Sequence, residues 1–316
     1  PDNPLGYRWG FIGSTDTHSA RAGNGFKQLQ RLNTSDATGV RSEFWRDVFA
    51  SSAVVSEYGT QSLTADQIDP ASAKIFASEF ERTTSFLNVG GIAAVHSQGR
   101  NREAIWDAMQ RREVYGTSGH RILLWFDLQQ PNATMPMGSV VESNTAPRFQ
   151  VEAIGSFKQL PGCPDYVVDA LEKRHLEKMS LGECYHPSDE RYHIARVEVI
   201  KIRPQASKGE DIAALIEDPW QVFDCEPSPL GCKVEFEDPD FVAEGRDALY
   251  YVRALEEPIA TINGANLRTR YDQDGKAVGT DMCFGDYRTD ADDDCHAVHN
   301  QRAWSSPIFV DYRHRQ

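Results

Sequence analysis

Asp16 and His18 stand two residues apart in Gly13-Ser14-Thr15-Asp16-Thr17-His18, directly after the apolar run Trp9-Gly10-Phe11-Ile12. In an extended chain both side chains leave the same face, so a carboxylate and an imidazole converge on one point. That pairing suits a divalent metal ion, and the hydroxyls of Ser14, Thr15 and Thr17 are spaced to orient the ligands. The same residues also fit an Asp that caps a turn with a His packed beside it. Arg21, Lys27 and Arg31 follow in a polar stretch, as partners for a small anionic substrate held at the metal or as solvated loop residues.

Further chemistry-bearing residues lie along the chain. His96 closes the apolar run Gly90–Val95 and reads as a third metal ligand, a substrate contact or a hydrogen-bonded strand-end histidine. Glu113 reads as an ion-pair partner, and His120 falls in the same segment. Cys283…Cys295-His296-x-x-His299, with Asp290, Asp292, Asp293 and Asp294 close by, is read as a disulfide beside a solvated acidic loop. Its spacing matches neither a structural zinc site nor a calcium loop. No nucleophile elbow, phosphate-binding Gly-rich loop or dinucleotide fingerprint is present.

The elements that must position these residues change character along the chain. Trp9–Ile12 and Gly90–Val95 read as buried strands. Ser42 and Asp69-Pro70 open helices, and Asn101 caps another in which Ala104, Ile105, Ala108 and Met109 face inward. Strand, helix, strand, helix is an α/β pattern, and it stops near Gly119. Beyond it Phe149, Val151 and Ala153 alternate with polar residues, and the same period of two recurs at 193–203, 232–237 and 248–256. Alternating strands between Pro, Gly and Asp clusters predict a β-sandwich. The expected fold class is therefore α/β followed by all-β, with residues 1–119 as one region and 120–316 as a β-sandwich-like domain.

At 316 residues the chain is long enough for two such cores. A net charge of −14 argues against nucleic acid as the main partner, and no apolar run is long enough for a membrane-spanning helix. All six cysteines fall in the second half. Pairing them neighbour to neighbour gives Cys163–Cys184, Cys225–Cys232 and Cys283–Cys295, which staple long loops and place the protein in the periplasm or outside the cell. The first residues, Pro1-Asp2-Asn3-Pro4, are those expected of a processed product or of the later part of a longer chain.

The segments Trp9–His18, Gly90–Val95, Arg102–Met109, Arg111–Gly119 and Gln301–Phe309 together resemble the later half of domain-of-unknown-function family 3604. That family is similar to the PHP (polymerase and histidinol phosphatase) superfamily. The resemblance implies that Pro1–Gly119 is the closing part of a distorted (βα)₇ barrel holding two or three divalent metal ions (Zn, Mn or Fe). Its chemistry would be phosphoester hydrolysis through metal-activated water, and the superfamily's last ligand motif, Asp-x-His, maps onto Asp16 and His18. The opening His-x-His and the middle His and Glu ligands have no counterpart here. Two protein ligands fall short of the three a catalytic metal normally takes, so the resemblance implies a missing N-terminal half, as an upstream segment or a second chain.

Two functions follow. One is an exported metal-dependent hydrolase, phosphoesterase-like, with Asp16 and His18 on the metal. The other is a non-catalytic secreted module that binds a glycan or a cell-surface partner through aromatic residues such as Trp125, Trp220 and Trp304.

Overall fold

The computed structural model describes residues 8–13, 91–180, 184–207, 209–262, 268–274, 277–281 and 296–313. Two packed sheets dominate them. An eight-stranded sheet contains β1 (Ile92–Val95), β2 (Val114–Thr117), β5 (Val140–Ser143), β9 (Ile194–Ile202), β10 (Ile216–Asp224), β12 (Ala248–Ile262), β15 (His296–Ser305) and β16 (Ile308–Tyr312). A four-stranded sheet runs β11 (Cys232–Glu237), β6 (Arg148–Ile154), β3 (Leu123–Gln130), β4 (Ala133–Pro136). The β7 (Phe157–Pro161)/β8 (Tyr185–Arg191) hairpin and the β13 (Arg268–Tyr271)/β14 (Ala277–Asp281) hairpin each pair separately.

Period-two alternation explains why the sheets pack. Phe149, Val151 and Ala153 on β6 and Leu124, Phe126 and Leu128 on β3 are buried, with their polar neighbours turned out. They share one apolar core with Val197 and Val199 on β9, Tyr250, Val252 and Ala254 on β12, and Ile308 and Val310 on β16. β12 is the axis of this arrangement. One side pairs with β9, and the other pairs first with β16 through Ala248–Tyr250 and then with β15 through Arg253–Ile262.

The disulfides hold the joints. Cys225–Cys232, Cα atoms 5.8 Å apart, links the end of β10 in the large sheet to the start of β11 in the small one. Cys163–Cys184, at 5.0 Å, closes the β7/β8 hairpin around two short helices, α2 (Asp165–Ala170) and α3 (Lys173–Ser180). Both pairings are those read from cysteine order; Cys283 and Cys295 lie outside the described residues.

The strand–helix–strand pattern resolves differently from its α/β reading. Between β1 and β2 lies α1 (Arg102–Gln110), capped by Asn101 Oδ1 accepting from Ala104 N–H at 2.8 Å. The two strands are antiparallel, with Ile92 opposite Thr117 and Val95 opposite Val114. β2 then pairs with β15, so residues on both sides of position 119 share one sheet. The α/β expectation fails here because α1 is too weakly buried to act as a crossover: Ala108 is its one buried residue, while Ile105 and Met109 are exposed. The described fold is β-rich, and a (βα)₇ barrel is not among its described residues.

Candidate functional site

The polar groups best arranged for chemistry gather where β12 is bulged. Leu255 pairs with Arg302 and Pro258 with Asn300, so Glu256 and Glu257 oppose the single residue Gln301. A bulge re-aims side chains. Leu255 faces away from the core, whereas Glu256 pairs with core residue Ile194 and turns inward. Glu256 is fully buried. Its carboxylate accepts from the Ser156 backbone N–H at 2.6 Å and meets His120 Nδ1 at 2.5 Å. Burying a carboxylate without such donors would be strongly unfavourable.

His120 is delivered by the turn after β2. Gly119 has φ +128°, a conformation other residues rarely adopt, and its N–H donates to Thr117 Oγ1 at 3.1 Å. Beyond the turn, the buried Tyr115 hydroxyl donates to Ile122 O at 3.0 Å and pins the loop to the core. The Tyr192 ring stacks on the imidazole with centroids 5.0 Å apart. Burial, helped by the charges of Glu256 and Glu257, raises the Tyr192 phenol above its ordinary pKa, so it stays protonated. Tyr192 is in turn fixed by its N–H to Ser156 O at 2.9 Å.

The resulting geometry is that of an oriented histidine. With Nδ1–H donating to Glu256, the lone pair sits on Nε2, which has no partner among the described residues, and the side chain is 26 % exposed. Ser156 Oγ lies 3.1 Å from the same Nδ1. Serine and carboxylate thus share one ring nitrogen, which is not the opposed arrangement of a nucleophile–base–acid triad. The arrangement does suit proton transfer at Nε2, because Glu256 fixes the tautomer and stabilises the imidazolium that forms. Asn300 Nδ2 donates to Glu256 O at 2.6 Å, and Ser118 Oγ donates to Gln301 Oε1 at 2.5 Å, so the bulge is itself held in place.

Asp16, His18, Arg21 and Lys27 lie outside the described residues, as do the Ser42 and Asp69-Pro70 helix starts. The segment leading to them is described up to Gly13. It runs along β2, with Gly10 beside Val114 and Gly13 against Gly116 and Thr117. It is fixed there by Phe11 N–H donating to Ser306 Oγ at 2.8 Å. The described segment therefore ends at the Thr117 end of β2, the end that carries His120.

His96 stands at the other end of β2, its N–H bonded to Glu113 O at 2.9 Å. Its Nε2 contacts Leu124 O at 2.8 Å, and its ring packs on Tyr115 and Trp125. This is the hydrogen-bonded strand-end histidine among the three sequence readings. Glu113 forms a two-pronged ion pair with Arg111, at 2.8 and 3.0 Å. Among the described residues no group of three or more His, Cys, Asp or Glu could hold a metal ion, so these residues alone do not make a metal centre. Sequence reading missed Glu256 and left His120 without a role. The available signal was a pair of acidic residues and a proline interrupting the alternation of β12.

The family model described as "Protein of unknown function (DUF3604)" matches residues 2–312. No curated protein and no solved structure matches the chain.

Proposed function

The chain belongs to the DUF3604 family of proteins of unknown function, and from that premise we propose an exported metal-dependent hydrolase of small anionic esters, phosphoesters foremost, in which His120 transfers the proton. The reading is carried by the Glu256–His120 pair, whose histidine is partly exposed, with no partner at Nε2 among the described residues, at the end of β2 toward which residues 8–13 run. The two disulfides support export. A divalent ion (Zn, Mn or Fe) held through Asp16 and His18 would supply Lewis acidity and an activated water; further ligands would lie outside the described residues.

His120 acts on the proton inventory of the reaction. Neutral, with Nδ1–H on Glu256, it accepts a proton at Nε2 from the attacking water or donates one to the leaving alkoxide when charged. Glu256 keeps the ring from turning and offsets the positive charge. The tyrosine platform and the Ser156 backbone N–H hold this pair at the core edge.

The test separates the two parts. Against a panel of phosphomonoesters and phosphodiesters, His120→Gln should lower kcat roughly 10²–10⁴-fold with bound metal unchanged, whereas His18→Ala should lower metal content and activity together. Glu256→Gln, which loses the carboxylate that fixes the ring tautomer, should lower kcat with bound metal unchanged. Wild-type turnover in His120→Gln would overturn the role of His120, and unchanged metal stoichiometry in His18→Ala would overturn the metal assignment.

A further inference from the structure

On the outer face of the large sheet, behind the Glu256 site, three arginines from three strands meet. Strand register places them in two rows. Arg196, Leu255 and Arg302 are paired across β9, β12 and β15 in one row, and Glu198, Arg253 and Trp304 in the next. Paired residues point to the same side, so all six occupy one face. The face is solvated at Arg196 and buried toward its centre, where Glu198 is 8 % exposed and Leu255 3 %.

Among the described residues the charges on this face do not balance. Glu198 is shared, 2.8 Å from Arg196 and 2.8 Å from Arg253. Asp218 of β10 adds a second carboxylate, also to Arg253. Arg302 has no carboxylate within ion-pair distance among the described residues. What surrounds it is soft or neutral: its guanidinium carbon lies 5.8 Å from the centroid of the Trp304 ring, and its NH2 contacts His299 Nε2. Burial lowers the His299 pKa, and Arg302 lowers it further, so His299 is a neutral acceptor at Nε2 with a donor left at Nδ1. Burial also lowers the Arg302 pKa, with Arg253 and Arg196 adding to the effect and Glu198 opposing it. Among the described residues three guanidiniums face two carboxylates; Arg196 and Asp218 are solvent-exposed, and Arg253 and Arg302 are partly buried. Arg253 Nε is buried with no hydrogen-bond partner. A guanidinium fork with spare donors matches an oxyanion in shape as well as charge.

We propose that Arg302, flanked by Arg253 and His299 over the Trp304 ring, binds a small oxyanion of the phosphate or sulfate type. The anion supplies the negative charge that the sheet face lacks. Its place is set by backbone geometry, since Arg302 N–H donates to Ser118 Oγ at 2.9 Å and so ties this strand to the turn that carries His120. The assignment rests on these residues alone and holds whatever reaction His120 serves.

The probe is inorganic phosphate, titrated calorimetrically into the whole 316-residue protein at low ionic strength, with sulfate as competitor. The expected result is saturable binding that sulfate displaces, weakened at least tenfold in Arg302→Gln and at least threefold in Arg302→Lys, which keeps the charge but loses the fork. Arg148→Gln, a change at an exposed arginine on β6 paired with Glu237, should bind as wild type. Absence of saturable binding in wild type, or equal affinity in Arg302→Lys, Arg302→Gln and Arg148→Gln, would overturn the proposal. If Arg302→Gln fails to fold, Arg302→Lys decides, read by whether phosphate raises its melting temperature as much as that of wild type.

Discussion

Two clusters of charge flank β12 only six residues apart, and they are built on opposite plans. Around Tyr250 the plan is closed. Lys201, 1 % exposed, lies 2.7 Å from Asp238 and 2.8 Å from Glu244 of the short helix α4 (Phe241–Glu244). The Tyr250 hydroxyl donates to Asp238 at 2.5 Å, Asp238 also takes the Asp240 N–H, and the Trp220 ring lies 5.3 Å from the Lys201 ammonium. Burial and Asp238 hold the Tyr250 phenol protonated far beyond its ordinary range. Around Glu256 the plan is open, because both carboxylate oxygens are bonded while the histidine it holds is partly exposed, with no partner at Nε2 among the described residues. The lesson is that a buried charge by itself does not mark function. A buried charge that orients a partly exposed partner does, and the closed knot is better read as fixing how the sheets pack.

The largest expected effect breaks the closed side. Lys201→Met conserves the stem and removes the ammonium, leaving Asp238 buried without its cation, while Glu244 keeps Arg203. The cost should be about 3–5 kcal/mol in urea denaturation, with phosphate binding per folded molecule unchanged. A loss below 1 kcal/mol would mean that the knot is not the structural element described here.

A smaller effect comes from the joint that holds the open side. A Cβ on Gly155 would sit 1.9 Å from Tyr192 O, a backbone atom that cannot swing away. Gly155→Ala should cost about 1–3 kcal/mol, and it should move Ser156 and Tyr192 off the Glu256–His120 pair. Denaturation and the pH profile of activity should therefore change together; a change in stability alone would detach Ser156 and Tyr192 from the site.

The smallest effect sharpens the contrast through pH. Because the folded protein lowers the His299 pKa, it binds fewer protons there than the unfolded chain, whose histidine titrates near about 6.5. The stability involved is complete above that value and is lost as pH falls through it toward the folded pKa. Thermal melts from pH 7.5 to 5 should show a smaller drop in His299→Gln than in wild type, and identical slopes would remove His299 from the group set by Arg302.

How much of this was legible in the chain follows the range of the interactions. The alternation on β6, β9, β11 and β12 could be read because a half-buried strand writes its faces into consecutive residues. Cys225–Cys232 and Cys163–Cys184 could be read because neighbours in the cysteine order close loops that stand apart from the core. The α/β reading of residues 90–119 failed because strand direction is not local: β1 and β2 look the same whether parallel or antiparallel, and Thr117 meets Ala303 across most of the chain. Glu256 and His120 are 136 residues apart and come together only in the folded sheet. Nothing near either one announces the other. Trp125, Trp220 and Trp304 suggested a binding surface, yet they pack on His96, on the core and beside Arg302. For Asp16 and His18 the motif and its resemblance remain the grounds.

The extra residue in β12 also has a genetic reading. Paired residues share a face, so with Leu255 opposite Arg302 and Pro258 opposite Asn300 the two glutamates between them together take the place of one residue in the ladder. Deleting either one would leave a carboxylate directly after Leu255 and restore the regular alternation, with the faces from Pro258 on unchanged. That point of β12 should therefore tolerate the loss of one codon better than the rest of the strand, where a deletion would exchange the faces of every side chain beyond the cut.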